Sequence, residues 1–120
     1  MIKKALCALV CVVPLVALAE KPMPRGGMLV DEHGMTLYTL DADAKAGGAS
    51  ACTGQCASIW PAALADDYDK AGGDWSFTQT ADGKHQWAYK GQRLYRFAKD
   101  EKPGDSKGDG IKNVWHIAKP

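Results

Sequence analysis

Cys52 and Cys56 are the residues whose type and spacing most directly suggest chemistry, because they form a C-x3-C pair. In an oxidising compartment such a pair forms a local disulfide, whereas free thiolates bind Cu(I) or act as an exchangeable dithiol. Gly54 lies between them and relaxes the backbone enough for the two sulfurs to meet. We expect a disulfide that fixes a turn rather than the whole domain, because the ring it closes is very short.

Two histidines and a methionine are further candidate metal ligands. His33, Met35 and His116, together with Cys52 and Cys56, could offer nitrogen and sulfur ligands to copper, or an axial pair to haem. None of them recurs at the short intervals typical of metal-binding motifs, which favours locally bonded histidines and a core methionine. We therefore predict no cofactor and keep a copper or haem site as the alternative.

A tyrosine followed five residues later by an aspartate is a third candidate, and this pattern occurs twice. The segment Leu37–Asp43 aligns with Leu94–Asp100, and both read Leu-Tyr-x-apolar-x-x-Asp. Each segment is followed by a loop with glycine and lysine, and then by an apolar residue and a tryptophan, in Ile59-Trp60 and Val114-Trp115. The chain is therefore predicted to contain two copies of one unit.

The tyrosine and aspartate of this pattern lack the partners that catalysis requires. No nucleophile or activated base accompanies them, so they complete no familiar catalytic set. We expect Asp43 and Asp100 to cap loop amides and to accept the hydroxyls of Tyr38 and Tyr95, which would tie strand to loop.

Strands must position these residues, and the second copy shows them most clearly. Alternating residues over 75–80, 84–89 and 92–97 are separated by Asp82-Gly83 and Lys90-Gly91, which are typical hairpin turns. The second turn places Trp87 opposite Leu94. Two faces follow from this register: one carries Tyr95 and Phe97, and the other carries Trp87, Tyr89 and Leu94. A fourth strand is predicted over 114–118.

The first copy is predicted to hold a hairpin of residues 28–31 and 35–40, with Leu29 opposite Leu37. Helix has room only within 50–60, before Pro61, and within 64–70. The predicted fold is therefore mainly β. It consists of two tandem hairpin-centred repeats that form a small antiparallel sheet assembly with one or two short helical turns.

The N-terminus reads as a secretory signal peptide over residues 1–19. Lys3 and Lys4 precede an apolar run too short to span a membrane, and Ala17-Leu18-Ala19 is a small-x-small cleavage pattern. Cleavage would remove Cys7 and Cys11. We predict a flexible N-terminus over 20–26 and a single domain over 27–118, with repeats at about 27–62 and 75–118. The mature chain would have no transmembrane segment.

Charge excludes one class of partner. The predicted mature chain holds 13 basic and 14 acidic residues once Lys3 and Lys4 are removed. A near-neutral balance argues against nucleic-acid binding, which needs a basic patch to neutralise phosphates.

Taken together, these residues resemble the secreted-repeat, lipoprotein-like family of unknown function that is marked by the motif Y-x-[F/W/Y]-x-x-D. Tyr95, Phe97 and Asp100 fit the motif fully. Tyr38 and Asp43 fit it with Leu40 in place of the aromatic residue. Further similar stretches are Cys52-x3-Cys56-x3-Trp60-Pro61, Gln86-Trp87-Ala88-Tyr89, residues 103–110 and Val114-Trp115-His116. The resemblance implies export and a repeat architecture, and it leaves activity open.

The sequence thus predicts an exported, non-catalytic protein of the periplasm or the exterior, with a binding or structural role in the cell envelope. An envelope protein is the candidate partner. The alternative is a periplasmic redox carrier that binds copper or haem. No Ser-His-Asp set, phosphate loop or pair of catalytic carboxylates supports an enzyme.

Overall fold

A computed structural model describes residues 21–45 and 49–120 of the chain. The predicted signal peptide, residues 1–19, lies outside the described residues.

The described chain consists of short strands joined by turns. Its elements, in chain order, are β1 Met23–Arg25, β2 Met28–Val30, β3 Tyr38–Leu40, α1 Gln55–Ile59, β4 Trp75–Gln79, β5 His85–Tyr89, β6 Gln92–Arg93 and β7 Trp115–Ile117. Two 3-10 segments, Asp41–Lys45 and Ile111–Asn113, follow β3 and precede β7. The strands form three small antiparallel sheets: β1 with β2, β3 with β7, and β4 with β5 and β6. The predicted β-rich fold class is confirmed.

The hairpin registers follow from the turn residues. Leu37 donates its amide to the Leu29 carbonyl, and Leu94 donates its amide to the Trp87 carbonyl, each over 3.0 Å. Both pairs are the ones predicted. In the second copy the turn residue Lys90 has a φ of 50°, next to Gly91 at 81°. Such left-handed conformations are typical of tight two-residue hairpin turns.

Strand β1 is an additional element that the sequence pattern did not predict. It pairs with β2 through a turn at Gly26 and Gly27, whose φ angles are 61° and 81°. The sequence predicts a flexible N-terminus over 20–26, whereas residues 23–25 form a strand. In this edge strand Pro24 lies opposite Leu29, so the hairpin extends to Met23.

The two repeats exchange strands rather than folding side by side. Strand β3 of the first repeat pairs with β7 of the second, with Tyr38 opposite Ile117. In the equivalent arrangement the Arg96 backbone amide donates to the Pro61 carbonyl over 2.7 Å, and the Ala98 amide donates to the Ile59 carbonyl over 2.9 Å. Each motif strand is therefore paired with the tryptophan-containing segment of the other repeat.

Two apolar clusters form the core, one on each face of the paired segments around Tyr38 and Tyr95. The first contains Leu29, Leu37, Ala63, Trp87, Leu94 and Ala118, with Tyr89 packed against it. The second contains Tyr38, Cys52, Trp60, Tyr95, Phe97 and Trp115. The predicted division of aromatic residues between two faces is therefore correct, and both faces are covered.

Of the two regions predicted to hold a helical turn, only the first contains an α-helix. Helix α1 lies within 50–60 and ends at Ile59, with Trp60 as its C-cap directly before Pro61, which cannot continue a helix. The second region suggested for a helical turn, 64–70, has none. Its first residues instead pair with β5, where Ala65 donates to the His85 carbonyl over 3.0 Å.

Candidate functional site

The tyrosines and aspartates of the two motifs meet across the repeat boundary. The Tyr38 hydroxyl donates to Asp100 Oδ2 over 2.6 Å, and Asp100 Oδ1 accepts the Lys107 amide over 2.8 Å. The Tyr38 hydroxyl also accepts the Gly108 amide over 3.2 Å. Both Tyr38 and Asp100 are buried. Tyr38 of the first motif is thus bonded to the aspartate of the second.

The second pair repeats the arrangement with the roles of the repeats reversed. The Tyr95 hydroxyl donates to Asp43 Oδ2 over 2.8 Å, and Asp43 Oδ1 accepts the Ala51 amide over 2.8 Å. The Ser50 hydroxyl lies 2.8 Å from that of Tyr95. Each carboxylate therefore joins a phenol of the other repeat to a loop amide of its own repeat.

Burial makes both phenols resistant to ionisation. Burial, reinforced by the hydrogen bond to Asp100, raises the pKa of Tyr38 well above its ordinary value. Burial also raises the pKa of Tyr95; the Ser50 contact opposes this shift and the Asp43 hydrogen bond reinforces it. Removing a charged form from water is costly, so the phenols remain neutral donors.

Stacked rings fill the space between the two pairs. The indoles of Trp60 and Trp115, equivalent residues of the two repeats, are parallel within 3° with centroids 3.8 Å apart. Phe97 stacks on Trp60 with centroids 4.3 Å apart. At the equivalent position of the first motif, Leu40 is only partly buried against the same cluster. The motif's aromatic position is therefore a packing position.

The cysteine pair is oxidised. The two sulfurs lie 2.09 Å apart, and the Cα atoms of Cys52 and Cys56 are separated by 5.2 Å. Cys52 is 4% exposed and packs in the aromatic cluster, whereas Cys56 at the start of α1 is partly exposed. A disulfide offers no thiolate to a metal ion.

The other candidate metal ligands lie in separate surroundings. His33 is exposed and pairs with Glu32 over 3.4 Å, while His116 Nε2 lies 3.0 Å from Asp41 Oδ2. Met35 is buried. Within residues 21–45 and 49–120, no three His, Cys, Asp or Glu side chains are grouped to hold a metal ion.

A cleft of about 880 Å³ opens between residues 49–54, here called the disulfide loop, and the β4–β5 hairpin. One wall is built by the disulfide loop, including Ser50, Cys52 and Thr53, and by α1 with the segment that follows it. The opposite wall comes from β4 and its turn, and includes Phe77 and Thr78. Volumes of this size are typical of small-molecule sites.

Polar groups at the inner side of this cleft are held in fixed positions. The buried Arg93 donates from Nη1 to Gln86 Oε1 over 2.7 Å and to the Gln79 carbonyl over 3.0 Å. Gln86 Nε2 in turn donates to the Leu94 carbonyl over 2.8 Å. These interactions fix both side chains before any ligand arrives.

The rim of the cleft mixes charge with exposed apolar surface. Lys84 Nζ lies 3.7 Å from Asp82 Oδ2, and both side chains are largely exposed. Leu64, which also lines the cleft, is 48% exposed. Lysine and aspartate neutralise each other here, so the rim has no strong net charge.

The cleft could not be predicted from the sequence, because its walls come from segments far apart in the chain. The one local signal was the inward alternation of Gln86 and Arg93, since a long polar side chain at a core-facing strand position must find polar partners.

Comparison with known proteins supports the prediction that the chain contains two copies of one unit. A family model described as a secreted repeat of unknown function matches the chain twice, over residues 23–64 and 76–119. The two matches together span more than half of the chain, and each contains one tyrosine–aspartate motif. No curated protein and no solved structure matches the chain. Among the described residues, no helix has both the length and the apolar character that crossing a membrane requires.

Proposed function

The chain belongs to the family of secreted repeats of unknown function, and from that premise we propose that it is a non-catalytic binding module of the cell envelope. Its ligand site is the cleft between the disulfide loop and the β4–β5 hairpin. The protein acts in the periplasm or outside the cell, after removal of residues 1–19.

The observation that carries this proposal is the closed hydrogen bonding of the motif residues. Each phenol donates a hydrogen bond to a carboxylate, and both oxygens of each carboxylate accept hydrogen bonds. Groups engaged in this way are suited to fixing a structure rather than to transferring protons to a substrate. The motif serves as a scaffold, which leaves the cleft as the surface available for function.

The cleft combines the features expected of a binding site. Apolar surface from Leu64 and Phe77 lies beside the exposed polar side chains of Thr53 and Lys84, and the buried Gln86–Arg93 pair braces the strands behind them. Apolar walls supply affinity, and a few fixed polar groups supply orientation and specificity. Because the Gln86–Arg93 pair already fixes the strands of this wall, a ligand does not have to order them on binding.

Native mass spectrometry with a cleft-filling variant tests the proposal. The full chain is exported, purified from its own compartment without denaturation, and examined for bound small molecules. Ala57→Trp places a large ring on the α1 wall of the cleft, at an exposed position. The matched control is Ala98→Trp, an exposed position that does not line the cleft.

We expect the wild-type chain and Ala98→Trp to retain the same ligand, and Ala57→Trp to lose it. Equal retention by all three proteins would place the ligand elsewhere. An empty wild-type protein that binds nothing from a concentrated periplasmic extract would contradict a binding role for the cleft.

A second experiment tests the compartment. Fractionation of cells that express the full chain should recover a mature form in the periplasm or the medium, shortened by the first 19 residues. Recovery of the full-length chain inside the cell would contradict export.

A further inference from the structure

We propose that the Cys52–Cys56 disulfide is an exchange site for dithiol reductants, and that its reduction loosens one wall of the cleft while the fold persists. Dithiol here means a pair of thiols in one molecule or protein active site. The exchange and the loosening take place in the chain alone, so neither depends on what the cleft binds.

The two sulfurs differ in access, which sets the order of bond breaking. Cys56, on α1, is only partly buried against the aromatic cluster, whereas Cys52 is buried within it and 4% exposed. Thiol–disulfide exchange begins when a thiolate attacks the accessible sulfur. Attack therefore falls on Cys56, and Cys52 leaves.

The reaction balances with the dithiol as the only co-reactant. The reductant's thiolate forms a mixed disulfide with Cys56 Sγ, and Cys52 departs as a thiolate that takes a proton from solvent. The second thiol then attacks the mixed disulfide and releases Cys56 as a thiol. Two electrons and two protons pass to the protein, and the dithiol becomes a disulfide.

The fold should survive because the disulfide closes a ring of only five residues. Short rings remove little entropy from the unfolded chain, so their loss costs the domain little. The crossed tyrosine–aspartate bonds, the exchanged strands and the stacked indoles of Trp60 and Trp115 all persist without a sulfur–sulfur bond.

The loop held by the disulfide is the one that reaches both the cleft and the Tyr95–Asp43 pair. Ser50 contacts the Tyr95 hydroxyl, and the Ala51 amide is bonded to Asp43. Ser50, Cys52 and Thr53 all line the cleft. Release of the loop therefore changes the cleft wall first.

The second repeat supplies an internal control. In its equivalent loop the Lys107 amide bonds to Asp100, and the Gly108 amide bonds to the Tyr38 hydroxyl where the first repeat uses the Ser50 hydroxyl; no disulfide closes that loop. Only the first repeat should respond to a reductant.

Amide hydrogen exchange resolved by NMR tests the proposal on the mature chain, before and after treatment with dithiothreitol in the absence of denaturant. We expect full reduction, exchange of the Ala51 and Cys52 amides at least about tenfold faster, and unchanged exchange at Lys107 and Gly108. The Cys52→Ser, Cys56→Ser double variant should show the same pattern without reductant.

Reactivity of the single variants tests the direction of attack. The free Cys56 of Cys52→Ser should react with a small aromatic disulfide reagent at least about tenfold faster than the free Cys52 of Cys56→Ser. Three results would overturn the proposal. They are a disulfide that is reduced only in denaturant, loss of protection in both repeats together, and equal reactivity of the two cysteines.

Discussion

Tyr38 and Tyr95 donate their backbone amides to each other's carbonyl oxygens, over 2.8 and 2.9 Å. They hold equivalent positions in the two repeats, so the pair marks a local twofold relationship between them. Other contacts follow the same symmetry: Leu29 donates to the Ala118 carbonyl, and its equivalent Trp87 donates to that of Ala63. This symmetry carries each phenol to the aspartate of the other repeat. The two crossed tyrosine–aspartate hydrogen bonds, here called the lock, therefore join the repeats to each other.

Removing one phenol hydroxyl should destabilise the domain. Tyr38→Phe leaves the buried Asp100 without its shortest hydrogen bond, and a buried polar group that loses its partner costs about 1–3 kcal/mol of unfolding free energy. Urea denaturation measures this loss. Tyr68→Phe, at a side chain that is 75% exposed, is the control and should change stability by less than about 0.5 kcal/mol. A urea midpoint for Tyr38→Phe equal to that of the wild-type chain would contradict a stabilising role for the Tyr38–Asp100 hydrogen bond.

Alkaline pH should open the same lock. The folded state raises the pKa of Tyr38 and Tyr95 above their ordinary value of 10.0, so it holds both phenolic protons more tightly than the unfolded chain does. Their contribution is therefore complete below about pH 10 and is lost as pH rises through the folded-state pKa values. Unfolding free energies across this range, with tyrosinate absorbance, should show the loss. Tyr38→Phe should show a shallower decline. Ionisation of both phenols in an intact fold would be inconsistent with this account.

A methyl group at Gly108 should disturb the stacked indoles. An added Cβ would lie 2.7 Å from Trp60 Cη2 and 3.1 Å from Phe97 Cδ2, closer than carbon atoms pack. Gly108→Ala should therefore cost about 1–3 kcal/mol, which thermal unfolding would detect. Gly72→Ala is the matched control, because its Cβ would meet nothing within 4 Å. Equal midpoints for the two variants would show that the stack tolerates displacement.

Cutting the chain between the repeats should leave the domain assembled. Residues 70–73 are exposed and lie between the two family matches, so a specific protease site placed there is accessible. The two fragments should elute together under native conditions, because β3 and β7 belong to different fragments and remain paired. The Cys52–Cys56 disulfide lies within one fragment and cannot join them. Separation of the fragments without denaturant would mean that each repeat folds by itself.

The sequence was most informative where local chemistry fixes structure. Turn residues at Lys90-Gly91 and the alternation around them determine a hairpin register within a few residues, so the Trp87–Leu94 pair could be predicted. The same reasoning applied to Gly26-Gly27 would have found β1. Pro24 is compatible with this strand, because an edge strand accommodates proline.

The exchange of strands could not be predicted, because the repeats carry the same pattern. A motif strand can pair equally well, by local pattern, with the tryptophan segment of its own repeat or of the other. The choice depends on chain connectivity and on the packing of both clusters at once. For the same reason the tyrosine–aspartate contact was anticipated while its crossing was not. The cleft, which depends on the relative placement of the loop and β4, was also beyond local reasoning.

A double-mutant cycle tests the crossed lock most directly. Tyr38→Phe is combined with Asp100→Asn in one cycle and with Asp43→Asn, the aspartate of its own motif, in the other. Denaturation of each single and double variant gives the two coupling energies. Coupling of about 0.5–3 kcal/mol between Tyr38 and Asp100, with near additivity between Tyr38 and Asp43, is the predicted result. Strong coupling of Tyr38 to Asp43 and none to Asp100 would contradict it.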